Sequence, residues 1–72
     1  MQQQSKLQIA PNPATRHIEL IFQEPIEVVY IYNISGALIR KHMSNKKIDV
    51  SSLKPGIYFL NANGHYAKFI KN

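Results

Sequence analysis

Apolar and polar residues alternate along much of the chain with the two-residue period of half-buried β-strands. The clearest case is Arg16–Phe22, where Ile18, Leu20 and Phe22 share one face. Ile26–Ile34 is apolar on both faces, which predicts a long strand in the centre of a sheet. No segment has a convincing helical period. The predicted strands are Leu7–Ile9, Arg16–Phe22, Ile26–Ile34, Leu38–Met43, Ile48–Val50, Ile57–Leu60 and His65–Lys71.

Residues that favour turns separate these strands. Lys54–Ile57 fits a type II turn, with Pro55 presetting φ and Gly56 taking the positive φ of the third position. Asn63–Gly64 is the strongest hairpin signal in the chain, and Ile34–Ala37 predicts a second hairpin turn. Pro11–Pro13 predicts a rigid turn that no helix can cross, because proline lacks the backbone donor and restricts the residue before it.

The succession of short strands and turns predicts an all-β domain, either a small sandwich or a barrel. We favour a small antiparallel Ig-like β-sandwich of about seven strands that covers residues 7–72. Residues 1–6 are expected to be a linker or a lead added ahead of the domain. Tyr58 lies just after the turn into the sixth strand, so we expect a tyrosine corner in which its hydroxyl binds an upstream backbone group.

Length and composition limit the class of protein. A chain of 72 residues forms one domain of modest stability, and the absence of cysteine rules out disulfides and thiolate ligands. No apolar run approaches the roughly 20 residues of a membrane helix, and the polar start is unlike a signal peptide. The sequence therefore predicts a cytosolic protein or a piece of a longer exported chain, with no stable membrane insertion.

The formal net charge of +5 allows a nucleic-acid partner, although a solvated basic surface is the simpler interpretation. Aromatic residues among the basic ones could form a stacking platform for single strands. They lie on strands rich in Ile, Val and Leu, so we predict core packing and no nucleic-acid binding. These residues are Tyr30, Tyr32, Tyr58, Phe59 and Tyr66.

Candidate catalytic groups do not form a recognisable constellation. His17, His42 and His65 occupy three separate predicted strands at no metal-ligand spacing, and surface positions are expected for them. Asp49 followed by Ser51 is expected to bind its own turn. Asn33–Ser35 matches the N-glycosylation pattern, which a turn asparagine explains as well. We therefore predict no enzyme, no metal site and no cofactor.

Four segments together resemble one family. Ala10–Ala14 resembles the "PNP-a" opening, and Val29–Ile39 resembles the segment "v-x-i-y-d-x-x-G-x-x-v". Ile48–Leu60 resembles "i-d-v-s-x-L-x-x-G-x-Y", and Lys68–Asn72 resembles a short basic and apolar tail at the chain end. In this order and spacing, the segments are similar to the type A C-terminal sorting domain of the type IX secretion system. Asn33 stands where the family usually has aspartate, and the loop at Met43–Lys46 is short.

The resemblance implies a secretion signal that is not itself catalytic. An upstream cargo in the same chain would reach the periplasm and then cross the outer membrane through the type IX translocon. A sortase-like peptidase would then remove the domain near the polar lead and attach the cargo to the cell surface. The chain would thus be a piece of a longer protein, and Met1 need not be its native start.

The resemblance also implies roles for individual residues. One group is expected to specify the backbone shape of the sorting motif: Pro11, Asn12, Pro13, Gly36, Leu53, Pro55, Gly56 and Tyr58. A second group is expected to contact the translocon, and its strand could add to the edge of a partner's sheet. This second group is Lys68, Phe69, Ile70, Lys71 and Asn72. The alternative function is a small basic β-barrel or sandwich that binds nucleic acid or a glycan.

Overall fold

A computed structural model describes residues 7–43 and 46–72 of the chain. The predicted lead at residues 1–6 and part of the predicted loop after Met43 therefore lie outside the described residues. Within the described ranges there are seven strands and no helix. The strands are β1 (Gln8–Ala10), β2 (His17–Ile21), β3 (Val28–Tyr32), β4 (Leu38–Met43), β5 (Lys47–Asp49), β6 (Gly56–Ala62) and β7 (His65–Lys71).

The strands form two sheets in which every ladder is antiparallel. One sheet has three strands in the order β1-β2-β5, and the other has four in the order β4-β3-β6-β7. β3 lies between β4 and β6, as its two apolar faces predicted. The predicted all-β antiparallel sandwich of about seven strands is confirmed. In the part of the chain that the structure describes, no helix is long and apolar enough to cross a membrane.

The core lies between the two sheets. Ile18 and Ile48 of the three-stranded sheet pack in the same cluster as Ile31, Leu60 and Phe69 of the other. In β2 the predicted face is confirmed, because Ile18, Leu20 and the following Phe22 are buried while Glu19 and Ile21 are exposed. In β7, Phe69 is buried whereas Tyr66, Lys68 and Ile70 face outward. Side-chain alternation thus determines which residues of each strand share a face.

The segment from residue 26 to residue 34 is a shorter strand than predicted. β3 keeps only its central five residues, and the seven-residue strands β6 and β7 are the longest. Just before β3, the backbone is hydrogen-bonded to the Asn63 side chain instead of to a neighbouring strand. The Asn63 Nδ2 donates to the Pro25 carbonyl at 2.7 Å, and the Asn63 Oδ1 accepts from Glu27 N–H at 3.4 Å. At its end, the Asn33 N–H donates to the Ala37 carbonyl at 2.9 Å within the turn.

Asn63–Gly64 forms the tight hairpin turn that the sequence predicts. Both residues have positive φ, +52° at Asn63 and +84° at Gly64, which is the requirement of a type I′ turn. The turn connects Ala62 of β6 directly to His65 of β7. The turn thereby fixes the register of β6 and β7, in which Tyr58 lies opposite Phe69.

Candidate functional site

The Pro11–Pro13 segment lies against the outer edge of β7. The Asn12 Oδ1 accepts a hydrogen bond from Ile70 N–H at 2.9 Å, and the Asn12 Nδ2 donates to the Lys68 carbonyl at 3.3 Å. The peptide bonds before both prolines are cis. A single asparagine side chain therefore binds the backbone edge of β7 much as a neighbouring strand would.

Ala14 continues this contact with its own backbone. Its N–H donates to the Ile70 carbonyl at 2.7 Å, and its carbonyl accepts from Asn72 N–H at 2.8 Å. Ala14 and Lys71 are paired in parallel, and the Ala14 side chain is completely buried. The structure thus brings the first and the last of the predicted motifs together, although nothing in their spacing along the chain indicates it.

The tail from residue 68 to residue 72 is only partly accessible. Phe69 is fully buried and Lys71 is 7% exposed, with its Nζ donating to the Asn72 carbonyl at 3.0 Å. The side chains of Lys68, Ile70 and Asn72 are exposed. The expectation of an open edge is wrong at Ile70, because the Asn12 side chain and the Ala14 backbone already bind both of its outward backbone groups.

Tyr58 forms the predicted tyrosine corner. Its hydroxyl donates to the Lys54 carbonyl at 2.6 Å, which confirms the expected bond to an upstream backbone group. The Tyr58 ring is buried and stacks on Phe69, with 5.5 Å between ring centroids and 22° between the planes. Tyr58 therefore joins the third motif to the tail, as Asn12 joins the first motif to it.

The chain between Val50 and Gly56 differs from the predicted type II turn. Gly56 has φ +154°, whereas the third position of a type II turn requires about +80°. The hydrogen-bonded turn occurs earlier, where Leu53 N–H donates to the Val50 carbonyl at 3.0 Å and Leu53 packs against the core. The Tyr58 hydroxyl donates to the Lys54 carbonyl, the chain bends at Pro55, and Gly56 already pairs with Lys71 in the β6–β7 ladder.

Gly36 lies in a separate turn organised by the Asn33 side chain. The Asn33 Oδ1 accepts from Ser35 N–H at 3.0 Å, Ser35 Oγ at 2.8 Å and Ala37 N–H at 3.0 Å. Gly36 has φ +89°, which the absence of a Cβ allows. Asparagine supplies the same acceptor oxygen as the family's usual aspartate, so this departure preserves the turn.

Asp49 binds its own turn in the same way, as predicted. Its Oδ1 accepts from Ser51 N–H at 2.8 Å and from Ser51 Oγ at 2.7 Å. These two hydrogen bonds, the side-chain one first, hold the pKa of Asp49 below its ordinary value of 3.8. Arg40 contacts the same loop through the Asp49 carbonyl and the Ser52 hydroxyl.

The histidines remain on separate strands and do not form a cluster. His17, His42 and His65 are half-buried rather than on the surface, and His65 packs its ring against Phe22 at 5.0 Å. Within residues 7–43 and 46–72, no group of three or more His, Cys, Asp or Glu side chains is placed to hold a metal ion.

The feature that sequence reasoning missed is the outer face of the four-stranded sheet, which points away from the core. This outer face carries Tyr30, Tyr32, Lys41, Phe59, Tyr66 and Lys68, and its apolar area extends to Leu38, Ile57 and Ile70. Phe59 is 36% exposed and Tyr66 67% exposed, while Tyr30 and Tyr32 are half-buried.

Of the five aromatic residues predicted to pack in the core, only Tyr58 does so. The sequence feature that could have indicated this outer face is the apolar character of both faces of Ile26–Ile34 and of Ile57–Leu60. The described strands form only two layers, so one apolar face of each central strand is not covered by any of them. A shallow depression on this surface is lined by Tyr32, Gly36, Phe59 and Tyr66.

Comparison with known proteins assigns the chain to a family. The sequence profile of the secretion system C-terminal sorting domain matches residues 8–72. Beta-agarase D from Zobellia galactanivorans is 45% identical over 56 residues, which cover 76% of this chain but 12% of that protein. The chain thus spans a small part of this curated relative. No solved structure matches the chain.

Proposed function

Because the chain belongs to the family of secretion system C-terminal sorting domains, we propose that it directs an upstream cargo protein through the outer membrane by the type IX system. The observation that carries this proposal is the match over residues 8–72, which includes both the Pro11–Pro13 segment and the tail. The structure supports it, because the motifs at the two ends of the match are hydrogen-bonded to each other.

In this proposal the domain is a folded signal and a substrate, without a catalytic role. The outer-membrane translocon recognises it in the periplasm, and a sortase-like peptidase then cleaves ahead of the domain, near residues 1–6. The cargo reaches the cell surface or is released. The similarity to a small part of a much longer curated protein supports the idea of a domain that different cargo proteins share.

The predicted motif residues divide into two roles. Asn12, Leu53 and Tyr58 stabilise the fold through the contacts described above, and Gly36 allows its turn. Within the tail, only Lys68, Ile70 and Asn72 present exposed side chains to a translocon, since Phe69 and Lys71 are buried. We therefore assign direct recognition to the exposed members and a folding role to the buried ones.

A fusion experiment tests the proposal. Residues 1–72 are joined to the C-terminus of a reporter that carries a signal peptide, and the fusion is expressed in a bacterium with a type IX system. We expect the reporter at the cell surface or in the medium. The matched control is the same fusion in a strain without the translocon, where the reporter should stay in the periplasm. Equal distributions in the two strains would contradict the proposal.

The second candidate, binding of nucleic acid or a glycan, is favoured by one observation. Phe59 and Tyr66 are exposed beside Lys68 on the outer face, and exposed aromatic rings next to cations can stack on bases or sugar rings. Titration of the chain with a labelled single-stranded oligonucleotide at two salt concentrations tests the nucleic-acid form. This candidate requires binding that weakens as salt rises.

A further inference from the structure

Charge is distributed unequally between the two sheets. The strands of the four-stranded sheet contain Arg40, Lys41, Lys68 and Lys71 and no aspartate or glutamate. The three-stranded sheet carries both Glu19 and Asp49, and the remaining acids, Glu24 and Glu27, precede β3. Arg40 binds the loop after β5 and Lys71 binds Asn72, which leaves Lys41 and Lys68 as the cations on the outer face.

The strand register arranges this outer face in rows. In one row, Leu38 of β4, Tyr32 of β3, Phe59 of β6 and Lys68 of β7 lie side by side. In the adjacent row, Lys41 of β4 lies beside Tyr30 of β3, with its Nζ 6.0 Å from the ring centroid. The aromatic rings of the central strands are therefore flanked by one cation on each outer strand.

An apolar centre with charged residues at its rim is the usual composition of a protein–protein interface. We propose that the outer face of the four-stranded sheet docks on a protein surface of the export machinery that has an apolar centre and acidic side chains around it. This inference rests on the proposed function and specifies which face of the domain is recognised. It extends recognition from the tail to β3 and β6, which the sequence motifs did not single out.

Two features favour this occupant over others. A second copy of the chain would bring one face with lysines and no acidic strand residues against another, and like charges in an interface are unfavourable. Nucleic acid would use the lysines and the rings, but the aliphatic side chains of Leu38, Ile57 and Ile70 would remain without a stacking partner. An apolar protein surface with acidic side chains around it would contact the aliphatic and aromatic side chains and also pair with the lysines.

The reporter fusion described above tests the inference with matched pairs of variants. Leu38 on the outer face and Ile21 on the three-stranded sheet are both 52% exposed, so Leu38→Ser is compared with Ile21→Ser. Tyr66→Ala removes the most exposed ring, and Lys68→Glu is compared with Lys54→Glu, which makes the same charge change outside the four strands. Thermal unfolding of each variant of the 72-residue chain verifies that its fold is retained.

We expect Tyr66→Ala to lower the surface reporter by roughly tenfold, the loss of affinity that truncation of an anchoring ring causes. Lys68→Glu should lower it as well, because it places a carboxylate against the acidic side chains of the partner. Leu38→Ser should also lower the amount of surface reporter, whereas the Ile21→Ser and Lys54→Glu fusions should be exported as well as the wild-type fusion. Normal export of the folded outer-face variants would overturn the inference and leave the proposed function intact. Failure of the wild-type tail to export the reporter would instead overturn the proposed function.

Two further measurements examine the other occupants. Sedimentation of the free chain reports a dimer, and the oligonucleotide titration reports nucleic-acid binding. A dimer that Tyr66→Ala dissociates would overturn the inference in favour of a second copy. Oligonucleotide binding that Tyr66→Ala abolishes would overturn it in favour of nucleic acid. A monomer that does not bind the oligonucleotide, together with the export defect, supports the docking face.

Discussion

The Asn12 side chain accepts a hydrogen bond from the Ile70 backbone at 2.9 Å, although 58 positions separate the two residues in the chain. The same side chain donates to the Lys68 carbonyl, and the Ala14 backbone binds Ile70 and Asn72. The first motif of the domain therefore holds the last one in place. Substitutions in the Pro11–Pro13 segment should therefore displace the tail, because they remove the hydrogen bonds that hold it.

Replacing Asn12 by alanine should destabilise the domain by about 1–2 kcal/mol, because two hydrogen bonds of about 1 kcal/mol each are lost. Urea denaturation of the 72-residue chain measures the change. Asn12→Asp keeps an oxygen that accepts from Ile70 N–H, but its second carboxylate oxygen would face the Lys68 carbonyl oxygen, so it should not recover wild-type stability. Equal stability of wild type and Asn12→Ala would show that these bonds contribute nothing.

Removal of residues 68–72 should unfold the domain as well as abolish export. Phe69 alone is fully buried against Tyr58, and truncating such a ring to alanine costs about 3–5 kcal/mol, much of the stability of a small domain. Circular dichroism of Phe69→Ala should therefore show a large fall in melting temperature. Ile70→Ala, at a side chain that is 41% exposed, is the control and should melt close to wild type.

Tyr58→Phe should cost about 1 kcal/mol, because it removes the hydroxyl bond to the Lys54 carbonyl and keeps the stacked ring. Denaturant midpoints of the two proteins give the difference. Tyr66→Phe makes the same chemical change at a residue that is 67% exposed and should leave the midpoint unchanged. If the two substitutions had equal effects, the hydrogen bond from the Tyr58 hydroxyl to the Lys54 carbonyl would not contribute to stability.

Gly36→Ala should destabilise the domain by about 1 kcal/mol through the backbone alone, since a Cβ is disfavoured at φ +89°. No heavy atom lies within 4 Å of the position that the Cβ would occupy, so steric overlap does not contribute. Gly36→Asn should cost less, because asparagine tolerates this region better. Thermal melts of the three proteins test this order, and an alanine variant as stable as wild type would contradict it.

Stability at acid pH should depend on Asp49. The Ser51 hydroxyl and backbone N–H lower the pKa of this carboxyl below 3.8 in the folded state. A carboxyl whose pKa is depressed by folding adds stability above the unfolded pKa, and that stability is lost as pH falls through the folded pKa. Asp49→Asn should therefore flatten the dependence of melting temperature on pH below 3.8 and leave the dependence at higher pH unchanged.

Asn33 indicates that the Asp49→Asn variant should still fold. It is an amide that binds the serine two positions later with the same pair of bonds that Asp49 makes. A variant with the same acid sensitivity as wild type would show that another group controls the loss of stability.

Local patterns in the sequence were sufficient for the strands and most turns. The alternation in Arg16–Phe22 and the Asn63–Gly64 pair depend on period and φ alone, and both predictions were confirmed. Tyr58 was also predictable, because its position relative to a bend and a strand specifies the corner. The turn at Lys54–Ile57 was wrong in type, since Gly56 already pairs with Lys71 in the β6–β7 ladder and local propensity does not include that long-range pairing.

By itself, the sequence determined the all-β class, which residues share a face of a strand and the resemblance to a family, because these follow from residues close together in the chain. The tertiary structure decided which segments meet. It placed Asn12 against Ile70, buried Phe69 within the tail and left Tyr66 outside the core. The physical reason is that the burial of an aromatic side chain depends on whether a second layer covers its face, and the pattern along one strand carries no information about that layer.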